Sequence, residues 1–439
     1  MYYERIYYEH VYNNIAPLRP ISISNSLAQI FERLLLTKMS FISKTNDNQF
    51  GYKNRTSCTH ALFIFKETII QYLDRNMHCF AAFLDAIKAF DNLWRQALYL
   101  KLKNNSNSIL STIIILKIYY DKLSSKIRIN NMLSKLFNLA RGVKQGGVLS
   151  GSLFNFFIDD LIQECCQAGL GASFINIIVA IICFCDDICL ISPDAHELQL
   201  LLNICNNYSK KWALEYNISK CKFIVFGTSK FNNTNFLVNN LSLTYSNNIK
   251  YLGIDFTHDL NFSNFFLNKF QSVSNSFFTL TAFGFRPGGI NPHLQSFVYK
   301  SFCLSRLLYG FEILTVNKSK INKMNVNQNS IIRYMTGLSK KSHISNTRKV
   351  LRILSINELN DYMKLIFVKN LKNSKICSEI FNHLINNNYK KNTKSFIKEV
   401  DSICSRLEID KFNLTKDIQY IINNFKEKHL FVDKILKMN

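Results

Sequence analysis

The sequence predicts an α+β fold, with a compact sheet backed by helices and then a helical carboxy-terminal half. Three observations predict it. Residues 80–84, 177–184 and 188–191 are short runs of apolar, largely β-branched or aromatic residues, with the length and composition of buried strands. Elsewhere apolar residues recur at three- and four-residue spacing, as in Leu153, Phe154, Phe157, Ile158, Leu161 and Ile162, the period of a helix packed on one face. Only 5 prolines and 14 glycines punctuate 439 residues, so long helices are expected outside the sheet.

The elements follow in order. Residues 26–39 repeat Leu27, Ile30, Phe31, Leu34 and Leu35 at helical spacing, with Asn25 or Ser26 available as the cap. The run 80–85 delivers Asp85 at the end of a strand, and a helical pattern follows it through Leu93, Trp94, Ala97 and Leu98. Residues 126–137 alternate weakly around Asn130-Asn131, a hairpin leading into Arg141. Gln145-Gly146-Gly147 supplies backbone that can approach a ligand closely, because glycine tolerates positive φ and has no side chain in the way. Two strands flank Asp186-Asp187, which fall at the turn between them. Residues 223–226 and 249–256 read as further strands, and the asparagine-rich stretch 229–248 as a loop or ragged hairpin. Beyond about residue 257, helices alternate with Lys- and Asn-rich connectors, and 346–439 reads as charged amphipathic helices.

Composition narrows the partners. A formal charge of +24 is excessive for a metabolic enzyme and suits a protein that holds a polyphosphate. The basic residues are dispersed rather than gathered in a tail, as in a lined cleft. Twelve cysteines without a regular framework, and no signal core after Met1, point to a reducing intracellular setting, nuclear or cytoplasmic. The longest apolar run, near 174–185, is too short for a membrane span.

The chemistry is read from the acids. Adjacent carboxylates repel, and setting Asp186-Asp187 beside buried strands is costly unless a cation neutralises them. Carboxylate oxygens suit hard divalent ions. Most acid pairs are surface features, but Asp85 at another strand end supplies a third ligand. Three such acids hold two metals about 4 Å apart in in-line phosphoryl transfer. Asp159-Asp160 is a decoy: the pair lies within a helix, where successive residues diverge, and is expected on its surface. Cys183, Cys185 and Cys189 lack a zinc spacing and read as small core residues.

Taken in order, several motifs resemble the reverse transcriptases of non-LTR (LINE-like) retrotransposons. They are Arg19-Pro20-Ile21-Ser22-Ile23 with Ile30-Phe31-Glu32-Arg33-Leu34; Gln49-Phe50-Gly51-Tyr52-Lys53 with Arg55; and Leu84-Asp85 with Lys88-Ala89-Phe90-Asp91. Arg141-Gly142-Val143-Lys144-Gln145-Gly146 with Leu149-Ser150 and Leu153-Phe154-Asn155 follows, then Phe184-Cys185-Asp186-Asp187, Asn217-Ile218-Ser219-Lys220 and Tyr251-Leu252-Gly253. The resemblance spans roughly residues 16–256. It implies a right-hand polymerase fold: fingers and palm over 1–256, a helical thumb over 257–345 and a helical extension over 346–439.

It also implies roles. Asp85, Asp186 and Asp187 would be the catalytic, metal-binding carboxylates, with two Mg²⁺ or Mn²⁺ ions. Phe90 would lie under the incoming sugar and exclude a 2′-hydroxyl. Gln145 and Gly146 would contact the nucleotide, and Lys220 would meet the triphosphate or the leaving pyrophosphate. Lys53, Arg55 and Arg141 would grip template or primer, and Tyr251, Leu252 and Gly253 would sit near the primer end. The implied partners are an RNA template, a DNA primer and dNTPs, with no membrane and no endonuclease domain on this chain.

Departures from the family pattern are Gly147 for an acid, Val148 and Gly151 for prolines, and Cys185 for alanine. The chain opens almost at Arg19-Pro20, so the fingers are expected to be short, as in a truncated copy. Two alternatives compete. One is a catalytically inactive RNA-binding remnant, which would not need to keep Asp85, Asp186, Asp187, Gln145 and Lys220. The other is an RNA-dependent RNA polymerase or intron maturase, which Phe90 and the Tyr251-Leu252-Gly253 segment disfavour.

Overall fold

The computed structural model describes residues 5–7, 21–105, 107, 109–129, 131–227, 235–386, 394–409 and 414–430. Arg19 and Pro20 lie outside the described residues, as does Asn130. The chain is mixed α+β, as expected. It folds as two compact units, one of Met1–Ala61, His78–Val225 and Lys230–Ser246, the other of Leu62–Met77, Phe226–Ser229 and Asn247–Asn439.

The first unit is built on a five-stranded sheet ordered Thr244–Tyr245, Lys222–Phe226, Cys79–Asp85, Asp187–Ser192, Ile181–Phe184. Cys79–Asp85 lies in the middle, and its small and apolar residues leave it buried along most of its length. Such a strand reads as a continuous apolar run because both faces are covered. Asp187–Ser192 runs antiparallel to it, with Asp187 opposite Asp85 and Ser192 opposite Phe80. The helix Ser150–Gln167 buries Leu153, Phe154, Phe157, Ile158, Leu161 and Ile162, the stripe read from the sequence. The helix Ala195–Trp212 joins the same core through Leu198, Leu201, Leu202, Cys205 and Tyr208, and its cap, Asp194, accepts the Glu197 amide.

A second sheet sets Arg5–Tyr7 between Ile21–Ile23 and Ser124–Ile129. Ser124–Ile129 turns back into Met132–Leu133 and also pairs with Phe137–Asn138, so the expected hairpin is present. The stretch read as a loop holds a hairpin, Leu237–Val238 with Leu241–Ser242. Asn239 and Asn240 both take positive φ there, as a two-residue hairpin turn requires.

Helix Ser26–Lys38 forms with Asn25 as its cap, but the buried face is not the one the apolar stripe suggested. Ala28, Glu32 and Leu35 are inside, while Leu27, Ile30 and Leu34 are more than half exposed. The helix is turned by Glu32, whose carboxylate is drawn inward by Lys144 at 2.8 Å, the Tyr119 hydroxyl, and the Val148 and Leu149 amides. Asp159 and Asp160 lie part-exposed on the helix surface, as expected, and both are engaged there. Asp159 accepts the Asn46 amide at 2.6 Å, and Asp160 binds Lys101 at 2.6 Å together with the Tyr208 hydroxyl. Both acids anchor the helix to its neighbours. Cys183 and Cys189 are core residues of strands, as read, and Cys185 is buried in the turn between them.

In the second unit the segment read as one strand is a hairpin, Asn248–Tyr251 with Ile254–Thr257, turning at Leu252 and Gly253, both at positive φ. Helices follow as expected: Ser263–Thr279, Lys318–Thr336, Ile356–Leu371, Lys375–Asn386, Phe396–Leu407 and Leu414–Leu430. Two fully buried lysines tie them together. Lys66 pairs with Glu67 and donates to the Ile313 carbonyl, while Lys364 donates to the carbonyls of Phe311 and Leu314. Among the described residues no helix is long and apolar enough to cross a membrane.

Candidate active site

The acids are delivered by hydrogen-bond register. Directly opposed residues of an antiparallel pair stand about 4.5–5.5 Å apart at Cα, so Asp85 and Asp187 emerge side by side at one end of the sheet. Asp186 belongs to the two-residue turn that joins Ile181–Phe184 to Asp187–Ser192. The first turn residue, Cys185, holds φ at +58°, a left-handed conformation that costs a non-glycine residue roughly 1–2 kcal/mol.

The turn is held from outside. The Gln49 side-chain oxygen accepts the Cys185 amide at 2.8 Å and the Gly51 amide at 2.9 Å. The backbone of 48–50 pairs with Cys183 on both sides, Cys183 N to Asn48 O and Phe50 N to Cys183 O, each at 2.9 Å. A Cβ on Gly51 would stand 2.5 Å from the Cys185 nitrogen, which explains glycine there. Gln49 and Gly51 thus build the acid turn, a role that sequence reading missed. Its only signal was their place in a motif.

Lys220 arrives on a segment tied to the exit of the central strand. Asn217 N donates to Asp85 O at 2.8 Å, Ile87 N to Glu215 O at 2.8 Å, and Asp85 N to the Cys221 sulfur at 3.4 Å. The Lys220 ammonium stands 3.7 Å from Asp85 Oδ2, with its side chain 63% exposed. An exposed pair of this kind is worth about 0–1 kcal/mol, so Lys220 is cheaply transferred to another anion.

Phe90 is half-buried. Its ring stacks on Phe154 with centroids 5.3 Å apart, and Tyr52 meets it edge-on at 6.1 Å. The loop carrying Arg141, Gln145 and Gly146 is laced to the turn after Phe90, with Val143 N donating to Phe90 O at 2.7 Å. Buried Arg95 fixes the loop from behind, donating to the carbonyls of Gly142, Tyr120 and Arg141. The Arg141 side chain is exposed, and Gln145 lines a cavity of about 420 Å³ together with Arg141 and Asp91. Burial raises the Asp91 carboxyl above the ordinary value, against the lowering effect of Lys88. Gly146 takes φ +107° beside the Ser22 carbonyl, where a Cβ would lie at 2.8 Å.

The remaining predicted residues are placed as follows. Lys53 is engaged with the carbonyls of Thr45 and Asn46 and with Asp47, whereas Arg55 is exposed at φ +63°. Tyr251, Leu252 and Gly253 belong to the second unit, where the Tyr309 hydroxyl donates to the Leu252 carbonyl. The three aspartates fit a hard divalent cation in donor chemistry and in sharing one sheet end. Among the described residues, however, no three His, Cys, Asp or Glu side chains are already gathered to hold a metal ion.

Comparison with known proteins places the chain in a family. Residues 13–256 match the family described as reverse transcriptase (RNA-dependent DNA polymerase). The chain is 23% identical over 80% of its length to the RNA-directed DNA polymerase from mobile element jockey of Drosophila melanogaster, covering 38% of that protein. It is 25% identical over 73% to the probable polymerase from transposon X-element and 26% identical over 72% to that from transposon BS, both of the same fly, covering 36% of each. The chain thus spans little more than a third of the length of these relatives. Among solved structures, telomerase from Candida albicans in complex with a telomeric RNA fragment is similar at a TM-score of 0.47, with 12% identity, covering 95% of this chain and 64% of that one.

Proposed function

The chain belongs to the reverse transcriptase family, of the non-LTR retrotransposon kind, and from that premise we propose that it extends a DNA primer on an RNA template with dNTPs. The family depends on divalent metal and works on RNA templates. The observation that carries the proposal is Asp85 opposite Asp187 on neighbouring strands, with Asp186 in the adjoining turn.

Asp85, Asp186 and Asp187 would hold two Mg²⁺ or Mn²⁺ ions. When bound, such ions activate a hydroxyl nucleophile and neutralise charge on the leaving phosphates. The chain's own residues do the rest. Lys220, weakly held by Asp85, is free to pair with the triphosphate or to give a proton to the departing pyrophosphate. Phe90, fixed on Phe154, presents a flat ring where a 2′-hydroxyl would stand. Gly146 lets the backbone approach the nucleotide beside Gln145. Arg141 and Arg55, both exposed cations, take template and primer phosphates, with Lys53 bracing the segment that carries Arg55. Tyr251, Leu252 and Gly253 are assigned to the primer end. Residues 1–256 are assigned to fingers and palm, 257–345 to the thumb and 346–439 to a helical extension.

Primer extension on poly(rA)/oligo(dT) with Mg²⁺ or Mn²⁺ tests this. Wild type incorporates dTTP, and Asp186→Ala, which removes one of the three carboxylates, loses incorporation by a hundredfold or more, on the order of one lost electrostatic stabiliser. Equal background from both proteins would sink the catalytic reading and leave an RNA-binding remnant.

A further inference from the structure

We infer that Tyr52 is a positioning residue for sugar selection, acting through Phe90 from a seat that Gly151 provides. The inference rests on the polymerase reading above.

Tyr52 holds φ at +47°, a left-handed backbone that a bulky side chain adopts only when its surroundings impose it. The imposed contact is with the start of the helix Ser150–Gln167. A Cβ added at Gly151 would lie 2.2 Å from Tyr52 Cγ, 2.3 Å from Cδ1 and 2.7 Å from Cδ2. The ring therefore rests against the helix backbone in a notch that any side chain at 151 would fill.

Phe154 stands three residues further along the same helix, on the same face. It carries Phe90 from below, with planes 24° apart, while Tyr52 meets Phe90 edge-on at 67°. One helix thus supplies both the floor of Phe90 and the seat of the ring that flanks it. With Tyr52 removed, Phe90 has only one aromatic wall and is free to swing towards the vacated side. Gly151, a departure from the family pattern in the sequence, is therefore matched to a particular partner.

The full-length chain is assayed on poly(rA)/oligo(dT) for the ratio of kcat/KM with dTTP to that with rUTP. A general loss of structure lowers both terms together, whereas a misplaced Phe90 lowers their ratio. Tyr52→Ala should reduce the ratio roughly tenfold, the scale of a lost pocket contact, and Tyr52→Phe should retain it. Gly151→Ala should reduce it likewise, and the Tyr52→Ala/Gly151→Ala double variant should fall no further. A ratio unchanged in Tyr52→Ala, with dTTP incorporation intact, overturns the inference and spares the polymerase reading. Wild type that incorporates neither nucleotide overturns the polymerase reading and this role with it. In thermal unfolding, Gly151→Ala should lower Tm, and adding Tyr52→Ala should restore part of the loss; strictly additive losses overturn the seating of the ring.

Discussion

Glu32→Ala should destabilise the first unit more than any exposed-residue change in the molecule. Glu32 and Lys144 form an ion pair at 2.8 Å with both side chains 1% exposed. Deleting one member of a buried pair strands the other charge and costs about 3–5 kcal/mol. Glu32 also accepts the Val148 amide at 2.6 Å and the Leu149 amide at 3.2 Å, at the entrance to the helix that backs the sheet. Each orphaned amide adds about 1–3 kcal/mol where water does not reach it. Lys144 keeps the Ser24 and Tyr119 hydroxyls, which offset part of its stranding, so the ion-pair range alone is carried forward. At roughly 2–4 °C per kcal/mol for a unit of about 150–250 residues, Tm falls by roughly 6–20 °C. The assay is thermal unfolding of wild type, Glu32→Ala, and the double variant Glu32→Leu/Lys144→Met. The double variant should recover most of the loss, because it buries no unpaired charge. A fall below about 2 °C, or a double variant no better than the single, would refute the reasoning.

Other outcomes follow from the same geometry. Phe90→Val should admit rUTP while keeping dTTP incorporation, and an unchanged sugar choice in primer extension would remove Phe90 from that role. Gly142→Ala meets both a positive φ of +73° and the Asp91 carbonyl oxygen 2.3 Å from the new Cβ. It should cost more than the roughly 1–2 kcal/mol of the left-handed backbone alone, read as a fall in Tm, and a neutral effect would contradict the loop's placement. Burial pushes the thiols of Cys166 and Cys303 up to about 11 and of Cys377 to about 12, from 9.0. Folded values above unfolded ones give a stabilising contribution that is complete below pH 9 and lost as pH rises through the folded values. The unfolding midpoint should therefore decline between pH 9 and 12, and a thiol reagent at pH 8 should label half-buried Cys58 and Cys166 before the buried cysteines.

The parts of the site that could be read from sequence are those made by local pattern. The apolar runs that deliver Asp85 and Asp186-Asp187 are legible because strands buried on both faces exclude polar residues. The packed face of 150–167 is legible because its stripe has one period. What escaped depends on partners far along the chain. Glu32 sits in a helix whose stripe suggests it should face water, and only Lys144 and the amides at 148–149 turn it inward. Gln49 is 136 positions from Cys185, so nothing near either residue reveals that one holds the other. Leu252 and Gly253 hide a hairpin because the residues on either side continue the same apolar alternation. Gly151 reads as a loosened turn until the Tyr52 ring is seen lying against it.

The middle place of Cys79–Asp85 in its sheet has a consequence during synthesis. Both of its neighbouring strands come later in the chain, Asp187–Ser192 and Lys222–Phe226. At translation rates of 5–20 residues per second, the nascent strand waits roughly 5–20 s for its first partner. Throughout that wait Phe80-Ala81-Ala82-Phe83-Leu84, an uncharged apolar segment, presents two unpaired edges. Yield on expression should therefore respond to slower synthesis or added chaperone more than to any change at the acids themselves.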